Sequence, residues 1–97
     1  NRVRSSLEAA IGAGNLTSID PTMGGEDFAE FGITKEKVPL CMFRLGTQAP
    51  EEIAAAKAKG ISLPSLHSPF FKPVAEPTIR TGVQAMSAVV LDLLKKP

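Results

Sequence analysis

The stretch from residue 77 to residue 96 limits this chain more than any other. Ile79, Val83, Met86, Val90 and Leu93 follow one another at intervals of four and three, which stacks them on one face of an α-helix. Ala85, Val89 and Leu94 widen that face beyond what a single neighbouring helix covers. Pro77 suits the start of the helix, and Lys95 with Lys96 complement its dipole at the end. Gly82, inside it, costs about 1 kcal/mol relative to alanine, so it marks a close approach of another backbone. A helix of this kind needs a sheet to lie on.

The remaining segments offer little sheet. Val3, Leu7, Ala10 and Ile11 recur at helical spacing, and Gly12 and Gly14 then supply a stop. Leu16 to Ile19 is a short strand-like stretch ended by Asp20-Pro21. Glu26 to Phe31 predicts a short helix with acids at its positive end, followed by a polar turn over Thr34 to Lys37. Pro39 to Leu45 is the best strand, apolar on both faces and therefore of the kind buried in a helix-covered sheet. Pro50 to Lys59 predicts a surface helix, with Pro50 at its first position, Glu51 and Glu52 in its first turn and Gly60 as its stop. Gly60 to Pro73 reads as an ordered loop. The expected class is thus α/β, with two strands and a long C-terminal helix. Two strands are marginal alone and leave unpaired edges. The expectation is that residues 1–97 belong to a larger layered structure, or complete their sheet through another chain. The alternative is a small α+β domain that closes by itself.

Composition narrows the function classes. With 97 residues there is room for one small domain. A net charge of +1 provides no basic field for nucleic acid, and 5 Phe with no Trp or Tyr leave few stacking platforms for single strands. One cysteine excludes an internal disulfide framework. No apolar run is long enough to cross a bilayer, and no signal peptide is visible. The chain begins with Asn rather than Met, so the expectation is a removed start or the tail of a longer protein. The cytoplasm is expected before the periplasm.

Few residues suit chemistry. His67, the single histidine, lies in Leu66-His67-Ser68-Pro69. One imidazole cannot hold a zinc ion, which takes three or four protein ligands. His67 is therefore either a loop histidine bonded to backbone or one ligand of a site completed elsewhere. Glu26 and Asp27 are adjacent, so on a helix they point about 100° apart and do not share a proton or a metal. They either compensate a helix dipole or stand beside a glycine-rich pocket entrance, although Gly24-Gly25 lacks the spacing of a phosphate loop. Cys41, mid-strand, is expected as a buried, inert thiol with no ligand spacing to His67. The three methionines are expected as core filler. Ser65 and Ser68 flank the histidine, but no Gly-x-Ser-x-Gly elbow accompanies them.

Pro21-Thr22-Met23-Gly24-Gly25-Glu26-Asp27-Phe28, then Leu66-His67-Ser68-Pro69, then Glu76 to Val83 with Ala85-Met86, stand in order with an apolar stretch between the first two. Together they resemble the C-terminal part of the zinc-dependent amidohydrolase and carboxypeptidase family, which includes hippurate hydrolases, aminoacylase-type enzymes and plant indole-acetyl-amino-acid hydrolases. The resemblance implies a three-layer helix/mixed-sheet/helix catalytic domain carrying an inserted dimerisation or lid domain, with residues 1–97 as its last segment. It implies metal-dependent hydrolysis of the amide bond of N-acyl amino acids or small peptides by the full-length enzyme. Two divalent ions, usually zinc with manganese, cobalt or nickel as alternatives, polarise the carbonyl and activate water in such enzymes. Carried over, His67 is the last metal ligand, and Met23, Gly25 and Glu26 line the substrate pocket. No catalytic residue falls in this segment. The family's other ligands, its bridging acid and its general-base glutamate have no counterpart here, so residues 1–97 alone are expected to be inactive. The implied partners are an N-acyl amino acid substrate, the rest of the catalytic domain and a second subunit, with no nucleic acid and no membrane. The competing reading is a non-catalytic interaction or oligomerisation module that pairs through the terminal helix.

Overall fold

Helix α1, Arg2–Ile11, ends where the sequence predicts. Gly12 adopts a φ of +88°, a conformation that costs glycine least, and its N–H still reaches Glu8 O at 3.0 Å. Helix α2 covers Pro50–Ala58 and helix α3 covers Ala75–Leu94. Two short 3-10 helices, Ala13–Asn15 and Asp27–Gly32, complete the regular structure. These elements come from a computed structural model that describes residues 2–21 and 27–96.

The expected α/β class is wrong. Among the described residues there is no strand and no sheet, and 53% of them are helical. A strand exists only when a neighbour takes up its N–H and C=O groups, and neither candidate finds one. Leu16 instead closes the first 3-10 turn, its N–H donating to Ala13 O at 3.1 Å. Phe43 to Thr47 runs along α3 rather than beside another strand, while Leu40 packs at Gly32 of the second 3-10 helix. Phe43 packs on the core, a Leu45 methyl sits at Gly82, and Thr47 O accepts the Val74 N–H at 2.8 Å just before α3 begins. The segment thus follows α3 from its middle back toward its start.

Gly82 does mark a close approach, but by a side chain and not by a backbone. A Cβ placed there would stand 3.1 Å from Leu45 Cδ2.

The core is the seam between α1 and α3. Leu7, Ala85 and Val89 are buried in it, with Val3, Leu16 and Phe43 packed around them. At one end of the seam Arg2 Nε and Ser6 Oγ both donate to Asp92 Oδ2 at 2.9 Å, and an Arg2 Nη2 reaches Asp92 O. The start of α1 therefore meets the end of α3, and the two helices run antiparallel.

The docked face of α3 is not the one its periodicity favours. Ala85 and Val89 are buried, with Gly82 and Ala88 half-buried beside them, whereas Ile79, Val83, Met86, Val90 and Leu93 are all exposed. Small side chains let α1 and the Phe43–Leu45 segment come close, while the bulky stripe is left uncovered. Cys41, expected to be buried, is also exposed. Met42 and Met86 lie mostly in solvent rather than filling a core, and Met23 is outside the described residues.

Two measures of size agree with this thin core. The accessible surface is 8359 Å², about 3,000 Å² more than a folded monomer of this mass exposes. The radius of gyration is 16.1 Å, against about 12.5 Å for a compact domain of this length. No described helix is long and apolar enough to cross a membrane.

Candidate functional site

The loop that carries His67 is launched by the end of α2. That helix has little to dock with: it is mostly alanine and charge, only Ala56 is buried, and Ile53 remains half exposed. Its end is well defined nonetheless. Gly60, at φ +66°, donates to Lys57 O at 3.1 Å, and Ile61 donates to Ala56 O at 3.0 Å. This pair of bonds is the Schellman arrangement, which satisfies the last carbonyls of a helix and fixes the exit direction of the chain.

Past Leu63 and Pro64 the chain makes two consecutive turns. Ser68 N–H donates to Ser65 O at 2.9 Å, closing a turn whose third residue is His67. Phe71 N–H donates to Ser68 O at 3.1 Å, closing a second turn with Pro69 at the position where its fixed φ is favoured. The half-buried Ser68 also accepts the Phe70 N–H on its Oγ at 3.1 Å. Ser68 is thus bonded in both turns, and it holds the backbone on either side of the histidine. The Ser-Pro pair after the histidine is the sequence signal for this arrangement, a hydroxyl bond to the backbone two residues on, followed by a proline-led turn.

His67 is exposed, as are Leu66 and Phe70 on either side of it in the loop. Its imidazole has no hydrogen-bond partner among the described residues. The backbone-bonded histidine expected of an ordinary loop is therefore not what the described residues form. Beside the loop, an open groove of about 360 Å³ runs along α2, with Ile61, Leu63 and Phe70 on one side and Glu52, Lys59 and Lys72 at its charged margin.

Among the described residues no three histidine, cysteine or carboxylate side chains come together as a metal site. Cys41 does not join His67 in such a group. Of the expected pocket residues, Met23, Gly25 and Glu26 lie outside the described residues. The neighbouring Asp27 is exposed at the start of the short 3-10 helix, where Phe28 and Phe31 face each other with ring centres 6.1 Å apart. Gly32 ends that helix against Leu40, where a Cβ would stand 2.8 Å from Leu40 Cδ1. Neither the Ser68 bonds nor the Asp92 cluster was singled out from the sequence. Arg2, Ser6 and Asp92 are brought together only by the antiparallel seam.

Comparison with protein-family models, with curated proteins and with solved structures returns no match to this chain.

Proposed function

We propose that residues 1–97 are the C-terminal contribution to a metal-dependent amidohydrolase, and that His67 is one ligand of its metal centre. The substrate class is an N-acyl amino acid or small peptide, and the ions are divalent, zinc first. The observation that carries the reading is the His67 loop. Its backbone is pinned on both sides by Ser68, yet its imidazole is exposed and has no partner among the described residues. An exposed ring with no partner among the described residues, carried on a backbone fixed by two turns, is free to accept a ligand role toward a group supplied from elsewhere. A neutral imidazole is the side chain that most often fills that role for transition metals.

The role of this segment is to position that one donor. The remaining ligands, the base and most of the substrate pocket come from further polypeptide, and no chemical step is assigned to the residues described here. When bound, the ions of such an enzyme polarise the scissile carbonyl and supply the attacking water.

The test uses the product of the complete reading frame that encodes these residues. His67→Ala should lower bound metal, measured by elemental analysis, and abolish most hydrolysis of N-acyl amino acids while leaving the helical circular dichroism signal intact. Unchanged metal content and turnover in that variant would remove His67 from the site. The 97-residue chain on its own should show neither submicromolar zinc binding nor hydrolysis, and tight binding that His67→Ala removes would contradict the shared-site reading.

A second reading, an interaction module without catalysis, draws on a different observation, the uncovered stripe of α3. It predicts that His67→Ala has no effect on any activity of the protein.

A further inference from the structure

We infer that residues 48–73 form a single lobe hinged where Thr47 meets Val74, so that α2, the groove beside it and His67 move as one body relative to the α1–α3 seam. The inference concerns the mechanics of the chain and does not rest on the metal chemistry proposed above.

The neck of the lobe is a backbone bond. Val74 N–H donates to Thr47 O at 2.8 Å, which joins the two ends of the excursion at the residue that caps α3. Among the described residues, no hydrogen bond or ion pair runs from residues 48–73 to the rest of the chain. Gly46 stands just before the neck, with open space where a side chain would be, so the backbone can rotate there. Pro73, with its fixed φ, stiffens the other side.

Inside the lobe, bonds and contacts close on themselves. Gly60 and Ile61 cap α2 on its own carbonyls, and Ser68 ties both turns of the loop that follows. Ala56, the buried residue of α2, lines the groove together with Ile61, Leu63 and Phe70 from that loop. Every residue along the groove, from Gln48 to Lys72, belongs to the lobe. Outside it, α1 and α3 pack on each other, and α2 packs against no other helix among the described elements. A segment whose ends meet and whose own side chains pack it is built like an Ω-loop, here on a larger scale. In a hinge, a few loop residues absorb the rotation while the bodies on either side keep their shape. The Thr47–Val74 neck therefore sets the distance between His67 and α3 without altering what surrounds His67.

Val74→Pro tests the hinge. The substitution removes the N–H that closes the neck, the φ of −77° there already suits proline, and the carbonyl still accepts the Thr78 N–H. Distances between paired nitroxide labels, read by pulsed electron resonance, report the outcome. Cys41, the single cysteine, is exposed and lies outside the lobe. Glu51→Cys and Ser65→Cys place labels at exposed positions within it. In Val74→Pro the distance distribution between Cys41 and position 51 should widen at least about twofold, as expected of a local opening. The distribution between positions 51 and 65, measured with Cys41→Ser, should stay that of the parent chain, and the helical circular dichroism signal should be kept. Val74→Ala, which retains the N–H, should leave both distributions unchanged. An unchanged width from Cys41 in Val74→Pro would overturn the proposal. Equal widening between positions 51 and 65 would do so as well, since the segment would then be unravelling and not swinging. Loss of the helical signal would make neck and seam one unit and overturn it too. Widening in Val74→Ala as large as in Val74→Pro would move the hold from the bond to the side chain, with the same result.

Discussion

Asp92 ties the end of α3 to the start of α1, and it does so as a carboxylate. The Arg2 side chain and then the Ser6 hydroxyl, both donating to it, hold its carboxyl below the ordinary value of 3.8, and the Arg2 and Lys95 charges act in the same direction. A group with a depressed pKa binds its proton less readily in the folded state than in the unfolded one. Its stabilising effect is therefore complete above the ordinary value and fades as pH drops through the lower folded one. The α1–α3 seam should loosen below about pH 4, read as falling helicity, and Asp92→Asn should remove that part of the acid response. Because Arg2 is more than half exposed, molar salt should weaken the same contact. Gly82 offers a second test at this scale. The atom nearest to a new Cβ is the end of a partly exposed leucine, which can turn aside. Gly82→Ala should therefore raise the thermal midpoint, by up to about 1 kcal/mol of helix propensity. A lowered midpoint would show that Leu45 is pinned.

At the scale of elements, the three helices were legible because their signals are local. Spacing marks α1 and α3, with Gly12 stopping the first and Pro77 near the start of the second, and Pro50 with Gly60 bounds α2, all without reference to anything distant. Pro39 to Leu45 was not legible, because an apolar run states that a segment wants cover and not which neighbour supplies it. The docking face of α3 was hidden for a related reason. Periodicity weighs Ile79 and Leu93 above Ala85, yet it is the alanine that allows a second helix to come close. In the candidate site, His67 stood out in the sequence, while the Ser68 turns beside it read only as an ordered loop and the Schellman end of α2 that aims that loop shows only as Gly60. The seam also sets what a core mutation does. Leu7→Ala removes the largest buried side chain between α1 and α3. Such truncations cost about 2–5 kcal/mol, and the half-exposed neighbours of Leu7 place this one at the lower end. Hydrogen exchange in α1 and α3 should rise sharply, whereas α2, which packs against no other helix among the described elements, should exchange as before.

The molecule as a whole has a narrow seam and a large unburied surface. Its longest dimension is 49 Å and its shortest 21 Å. Unfolding such a body exposes less new surface than unfolding a compact domain of equal length, and the denaturant slope scales with that surface. The urea m-value of the chain should accordingly fall below the range typical of small domains. An m-value already typical for 97 residues would mean that the isolated chain closes over its own stripe.

The Arg2–Asp92 clasp also has a consequence for the order of events at the ribosome. Its two halves are made 90 positions apart, so Leu7 emerges long before Ala85 and Val89 exist to shelter it. At about 5–20 residues per second, the roughly 60 residues between α1 and α3 take about 3–12 s to synthesise. Throughout that wait the nascent α1 is a sticky amphipathic hook, and a chaperone that engages leucine-bearing helices has its opportunity then rather than after release.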